Sequence, residues 1–455
     1  MPIKTFSVPL QKFDPLLCHL QFAAGGPGFL ETLNPMTKTG RYSVVPLRTV
    51  DSYCLQNRCL TRSAGERLTE LPGEPMQLLA EIHRQRSIQG AAETPFPGGF
   101  FGYFGYDICR LVEELPQQAE RDLPIADLRL DWVDITAVFD HHQQRLLLGS
   151  LDDSVDLKVL AQRIIDGQQQ SLVEAPLRLL QPLQPKLQPE TFMAMVETAR
   201  DYIAAGDIYQ VNLSCRFDGR LQGNSSELYR RLRSINPAPF ACLLQWGDFA
   251  IISSSPERLV SLHGSLAETR PIAGTRPRGS SELDDSRLGA ELLAHPKERA
   301  EHIMLLDLER NDLGKVCVGG SVSVDELMVL ERYSHVTHIV SNVRGTLRPE
   351  FGPFDLLRAT FPGGTITGVP KKRCMEIIDE LEPVGRGSYT GSAGYISACG
   401  SMDLNILIRS FQRIGEQLSY QAGAGIVADS IPEKEWLECL AKGEAMRLVL
   451  KAVEE

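Results

Sequence analysis

Apolar and polar positions along the chain repeat with two different periods, and each period predicts a different kind of element. "RYSVV", "LRLDWVDITAVFD" and "QRLLLGSL", all before residue 152, are rich in β-branched and apolar residues and predict strands. In "PGGFFGYFGYD" (Pro97 to Asp107) glycines alternate with aromatic rings, which reads as a tight loop packing its rings against a sheet. "PETFMAMVETARDYIAAG" places Phe192, Met195, Val196, Ala199 and Ile203 on one helical face, with Gly206 as the stop. "DIYQVNLSCRF" and "FAIISSSPERLVSL" predict strands, and "KERAEHIMLLDLERNDLG" predicts a helix that opens in charge and becomes apolar. "HVTHIVSNVRGTL" alternates as a strand. The final run from Ala422 reads as strand, turn and one terminal helix, with Ser430 and Glu433 spaced as a capping box and Pro432 in the first turn. The class is mixed α/β, of the α+β type, with helices covering large sheets.

The Gln- and Pro-rich run "DGQQQSLVEAPLRLLQPLQPKLQPE" carries four prolines, which interrupt any helix. It reads as a linker over 166–188, dividing an N-terminal region, 1–165, from a second region, 189–455. Apolar content of 43% and charged content of 23% are those of an ordinary globular chain of 455 residues. A formal net charge of -11 argues against nucleic-acid or anionic-membrane partners, since the phosphate attraction is missing. The ten cysteines form no zinc or disulfide spacing, the start lacks the apolar core of a signal peptide, and no apolar run approaches the ~20 residues of a membrane span. The expectation is a cytoplasmic protein with reduced thiols.

Candidate chemistry is scattered. Glu298 and Glu301 stand i, i+3 on one predicted helix, so both carboxylates project from the same side. Glu435 and Glu438 repeat the spacing, with Lys442 one turn beyond. Carboxylates from two helices, with waters and substrate oxygens, suit magnesium, although alone the pattern also describes a solvated helix face. "FPGGTITGVPKKR" lacks the Gly-Lys-Ser/Thr ending of a phosphate loop and reads as a loop or turn. "RPIAGTRPRG" (Arg270 to Gly279) sets three arginines where a small dianion could be held. His338 among valines reads first as a hydrogen-bonded core residue, Glu257 as a salt-bridge partner, and Tyr389 and Arg409 as packing and surface charge.

In this order, "GDIYQVNLS", "SSPERL", "RPIAGTRPRG", "KERAEHIMLLDLERNDLG", "YSHVTHIVS", "MEIIDELEP", "DLNILIR" and "AGAGIVADSIPEKE" resemble the chorismate-utilising enzymes, in particular the large subunits of anthranilate synthase and aminodeoxychorismate synthase. The resemblance implies layered large antiparallel β-sheets with helices on the outside and an Mg2+-bound chorismate. It matches Glu301 and Glu438 to the metal ligands, with Glu298 and Glu435 beside them. Tyr389, Arg409, Lys442 and the backbone near Gly425 match the groups that hold substrate carboxylate; Gly274 and Thr275 belong to the same substrate surface. Glu257 matches the general acid that protonates the departing C4 hydroxyl, and His338 the histidine associated with pyruvate elimination. Gln210 stands where water-using members carry a lysine base. An amide cannot deprotonate water, so the resemblance implies ammonia as nucleophile.

The product is less sharply indicated. Familiar aminodeoxychorismate synthases read P-I-K-G-T, with a lysine that attacks C2; this chain has Ala273, as anthranilate synthases do, and a methyl group cannot be a nucleophile. "FPGGTITGVPK", "YTGSAGYIS" and "GSMDLNILIR" resemble the aminodeoxychorismate branch, which is the preferred reading, with anthranilate synthase component 1 as the alternative. The resemblance further implies a separate glutamine amidotransferase delivering ammonia. A non-catalytic binding protein of this fold is disfavoured by the presence of Glu257, Arg409 and the metal-type carboxylates.

Overall fold

The structure, a computed structural model, describes residues 3–454 except 36–37, 89, 91, 280 and 333–335, and of 452 and 454 the backbone only. Twenty-two strands among the described residues join in one hydrogen-bonded network that folds into two arms. The arms meet at the long pair Tyr42–Gln56 and Leu128–Asp140. One arm runs from Tyr42–Gln56 through Gly28–Glu31, Phe240–Trp246, Phe249–Ser255, Ser410–Ile414 and Gln417–Ile426 to Gln210–Gln222. The other runs from Leu128–Asp140 through Gly99–Phe104, Ser392–Ser397, Met402–Asn405, Arg258–His263 and Leu266–Thr269 to Val336–Thr346, which carries Ile272–Pro277 and Ser323–Arg332. Every one of these pairings is antiparallel. Residue 335, where the expected strand "HVTHIVSNVRGTL" begins, lies outside the described residues.

The glycine–aromatic run is a central strand rather than the expected loop. Residues 99–104 are all buried, and alternate side chains go to opposite faces. Phe101 and Tyr103 point between the arms, where Tyr103 meets Trp246 at 5.6 Å and Phe249 at 5.5 Å. Phe100 points outward onto Trp132, and Phe354 of the helix Pro353–Thr360 covers it at 5.9 Å. On the outer face of the other arm, Tyr229 of the helix Ser225–Ile235 packs edge-on against Phe29 at 5.1 Å. Burying such rings stabilises by about 1.5–3 kcal/mol each, which favours a strand covered on both faces. Gly102 makes it possible: its φ is +153°, and a β-carbon there would lie 2.1 Å from the Arg129 carbonyl oxygen.

Part of the expected linker is ordered differently from a loop. Arg178–Pro185 forms an edge strand on Gln210–Gln222, with register shifts at its middle. Pro182 and Pro185 fit there because an edge strand tolerates residues without an N–H. The helix Pro189–Ala205 ends at Gly206 as expected, with φ +84°. The expected single terminal helix divides at Gly443 into Pro432–Lys442 and Glu444–Glu454. The Ser430–Glu433 capping box does not form: the N-cap is Ile431, and Ser430 Oγ instead accepts the Val427 N–H. No helix among the described residues is long and apolar enough to cross a membrane, and all ten cysteines are free thiols.

Candidate active site

The site is built where the strand Gln210–Gln222 begins and its partner Gln417–Ile426 ends. That pairing sets Asn212 opposite Gly425. The helices Pro296–Gly314 and Pro432–Lys442 bring Glu298 and Glu301, and Glu435, Glu438 and Lys442, to the same place. Gln210 Nε2 donates to Glu301 Oε1 at 3.0 Å. Gly425 leaves room for this bond, since a β-carbon there would lie 2.6 Å from Gln210 Nε2. Gln210 Oε1 is buried with no hydrogen-bond partner among the described residues, a polar atom awaiting a donor.

Burial raises the Glu301 carboxyl above its ordinary range, and the negative Glu298 and Glu438 raise it further against Gln210 and Lys442. Burial likewise raises Glu435, with Glu438 acting in the same sense and Ser430, Lys297 and Lys442 opposing. The four carboxylates therefore share one repulsive field. Two have cationic partners already: Arg276 donates to Glu298 at 3.1 Å, and Lys442 pairs with Glu438 at 2.8 Å, both half-exposed in the latter case. Among the described residues no three His, Cys, Asp or Glu side chains stand close enough to hold a metal together. The side chains gathered here offer carboxylate oxygens, the donor type Mg2+ uses together with retained waters.

His338 lies on the strand opposite Thr275, with Nδ1 3.0 Å from Thr275 Oγ1 and 3.3 Å from the Gly274 carbonyl oxygen. The pairing is irregular between Ala273 and Thr275, where Gly274 takes φ +71°. A carbonyl only accepts, so this contact favours the tautomer with hydrogen on Nδ1. Burial lowers the imidazole to about 4, and the Arg409 and Lys442 cations act in the same direction, so His338 is neutral at ordinary pH. Arg409 holds a left-handed backbone, φ +51°, an uncommon conformation for a side-chain-bearing residue and a frequent mark of a functional site.

Glu257 follows Pro256 in the break between the strands Phe249–Ser255 and Arg258–His263, with 6% of its surface exposed. The Thr365 hydroxyl donates to its Oε1 at 2.9 Å. Burial pushes this carboxyl up to about 7; negative Glu309 acts with burial, while Thr365, the Ile272 backbone and Arg409 oppose it. Tyr389 is buried, and burial pushes its hydroxyl upward, with the Arg386 cation and the nearby Asn212 side chain opposing. Beneath them Arg386, paired with Glu382, donates to the Asn212 carbonyl at 2.7 Å and the Ile366 carbonyl at 2.9 Å.

The arginines of "RPIAGTRPRG" do not wait for substrate. Arg270 is bonded to Glu326 and Glu331, Arg276 to Glu298, and Arg278 to Asp285. Three partners that sequence reasoning missed are Asn212, Thr365 and Glu309. Asn212 carried a signal, since it lies two residues beyond Gln210 on the same strand face. Thr365 sits in a 3-10 turn, Gly364–Ile366, within the segment expected as a loop. A separate cavity of about 670 Å3, lined in part by Leu30, Tyr42, Phe240, Arg258 and Tyr395, includes none of the expected site residues. Convergent titratable groups weigh more than open volume in locating chemistry, so the site is placed at the carboxylates.

Residues 46–448 match the family described as chorismate binding enzyme. The chain is 47% identical over 365 residues to an anthranilate synthase component I-like protein of Synechocystis sp., covering 79% of this chain and 74% of that one. It is 40% identical over 425 residues to aminodeoxychorismate synthase component 1 of Bacillus subtilis, covering 91% of this chain and 90% of the other. Among solved structures, anthranilate synthase component I from Streptococcus pneumoniae superposes with a TM-score of 0.79 at 33% identity, covering 95% of this chain and 97% of that one. The sheets, the covering helices and these likenesses agree with the expected fold, and the chain belongs to the chorismate binding enzyme family.

Proposed function

We propose that this protein aminates chorismate as an aminodeoxychorismate synthase component 1, yielding 4-amino-4-deoxychorismate with ammonia supplied by a glutamine amidotransferase partner in the cytoplasm. The observation that carries amination is the Gln210 amide bonded to Glu301 where a water-using enzyme needs a base. An amide has no basic lone pair to deprotonate water, whereas ammonia arrives already nucleophilic.

Glu301 and Glu438 would hold Mg2+, with Glu298 and Glu435 behind them; their shared negative field fits a hard divalent cation. Bound there, the ion supplies positive charge that neutralises a substrate carboxylate. Arg409, Lys442, the Tyr389 hydroxyl and the backbone around Gly425 orient the carboxylates, and Gly274 and Thr275 line the ring. Glu257, protonated near neutrality, gives its proton to the departing C4 oxygen.

Ala273 favours a second reading, anthranilate synthase component 1, because no side chain at that position can attack C2. Neutral His338, held by Thr275, then serves as the base for loss of pyruvate. Incubating the protein with chorismate, Mg2+ and an ammonium salt separates the two. Product converted by added lyase to 4-aminobenzoate supports the first reading; fluorescent anthranilate selects the second. Absence of any aminated product refutes both.

A further inference from the structure

Two buried carboxyl groups are held by consecutive residues of one turn. The Thr365 hydroxyl donates to Glu257 at 2.9 Å, and the backbone of Gly364 faces Glu309. Glu309 is 5% exposed, on the fourth turn of the helix Pro296–Gly314, and also accepts the Thr269 hydroxyl at 2.8 Å. A β-carbon at Gly364 would lie 3.4 Å from Glu309 Oε1, so the turn runs alongside this carboxyl. None of these groups touches the acidic cluster assigned to the metal.

A buried carboxylate needs a reason to stay charged. The charged groups facing Glu309 are Asp312, on its own helix, and Lys371, on the helix Lys371–Leu381. Lys371 pairs with Asp312 and donates to the Thr360 carbonyl at 3.0 Å. Those facing Glu257 are Glu309 and, in opposition, Arg409. Burial and the negative Asp312 raise Glu309, Lys371, Thr269 and Gly364 act against them, and Glu309 in turn repels a charge on the carboxyl across the turn.

We propose that Glu309 is a positioning residue that keeps the acid proton on Glu257 until the substrate's departing oxygen takes it. Whenever Glu309 is ionised, its buried charge disfavours a second charge across the turn. When the C4–oxygen bond breaks, the Glu257 proton moves to the leaving oxygen and two carboxylates are left facing each other. Solvent returns the proton after product leaves. Burial pushes both carboxyls up to about 7, with Glu309 adding to the effect on Glu257. This inference rests on reading Glu257 as the general acid.

The test is kcat/KM for chorismate against pH, with Mg2+ saturating and free ammonia held constant, for the parent, Glu309→Gln and Glu309→Asp. Losing the charge should move the alkaline limb of Glu309→Gln to lower pH by about one unit, about a tenfold loss on the alkaline side. Glu309→Asp keeps the charge and should keep the limb near the parent's. A limb that stays in place, or an equal loss at every pH, overturns the proposal. If Glu309→Gln does not fold, Thr269→Val decides. Removing a donor from the same carboxylate favours its neutral form, so the limb must move in the same direction; an unmoved limb overturns the proposal. A parent that makes no aminated product would refute the assigned function instead, which distinguishes the two failures.

Discussion

Gln210 and Glu301 are joined by one side-chain hydrogen bond of 3.0 Å, across 91 residues of sequence, at the mouth of the paired strands. The bond fixes an amide beside a carboxylate whose charge is resisted by burial and by two neighbouring glutamates. Gln210→Ala removes the donor and leaves Glu301 readier to protonate. A hydrogen bond to a charged group contributes about 1.5–3 kcal/mol. The expected outcome is at least a tenfold lower rate at limiting Mg2+, partly recovered by excess Mg2+, read from initial rates in a metal titration. Equal Mg2+ dependence in the two proteins would contradict this account.

Gly425→Ala probes the same contact from the opposite strand. A β-carbon at 2.6 Å from Gln210 Nε2 must push the amide off Glu301, while the backbone at Gly425 is not in the left-handed region. Displacing a site group by about 1 Å can lower turnover on the order of a hundredfold. A fall of that order with little change in Tm is expected; full activity would show that the contact is dispensable.

Glu257→Gln separates stability from activity. The native carboxyl is raised from 4.5 to about 7, so the folded protein keeps a proton that the unfolded chain releases. Stability from this group is complete below the unfolded value and is lost as pH rises through about 7. Glutamine escapes that loss. The variant should unfold later than the parent on the alkaline side, by up to about 3 kcal/mol, with the difference vanishing in acid. Turnover should fall at least about a hundredfold. Denaturant midpoints at several pH values check the first claim, and product formation checks the second.

Arg386 supports the floor of the site. It is 1% exposed, pairs with Glu382 and holds the carbonyls of Asn212 and Ile366. Arg386→Met strands a buried carboxylate and should destabilise by about 3–5 kcal/mol. Adding Glu382→Gln should restore part of the loss, because the stranded charge is then gone. A double variant no more stable than the single one would argue against the ion pair as the cause.

The two sequence periods and the i, i+3 spacing of Glu298 with Glu301 and of Glu435 with Glu438 are properties of neighbouring residues, and they were legible before any fold was known. So was the end of the helix at Gly206, where a left-handed residue without a side chain is cheapest. The aromatic run at 99–104 was not legible as a strand, since glycine lowers strand propensity and only coverage on both faces outweighs it. Partner choice was hidden as well. Arg270 meets Glu331 across 61 residues, and Glu309 meets Thr269 across 40. Local chemistry therefore determined which elements form and which residue types are available. The tertiary structure alone decided that the three arginines of the "RPIAGTRPRG" run are bound within the protein and that Thr365 and Glu309 stand around Glu257, because charge pairing and burial depend on distance in space.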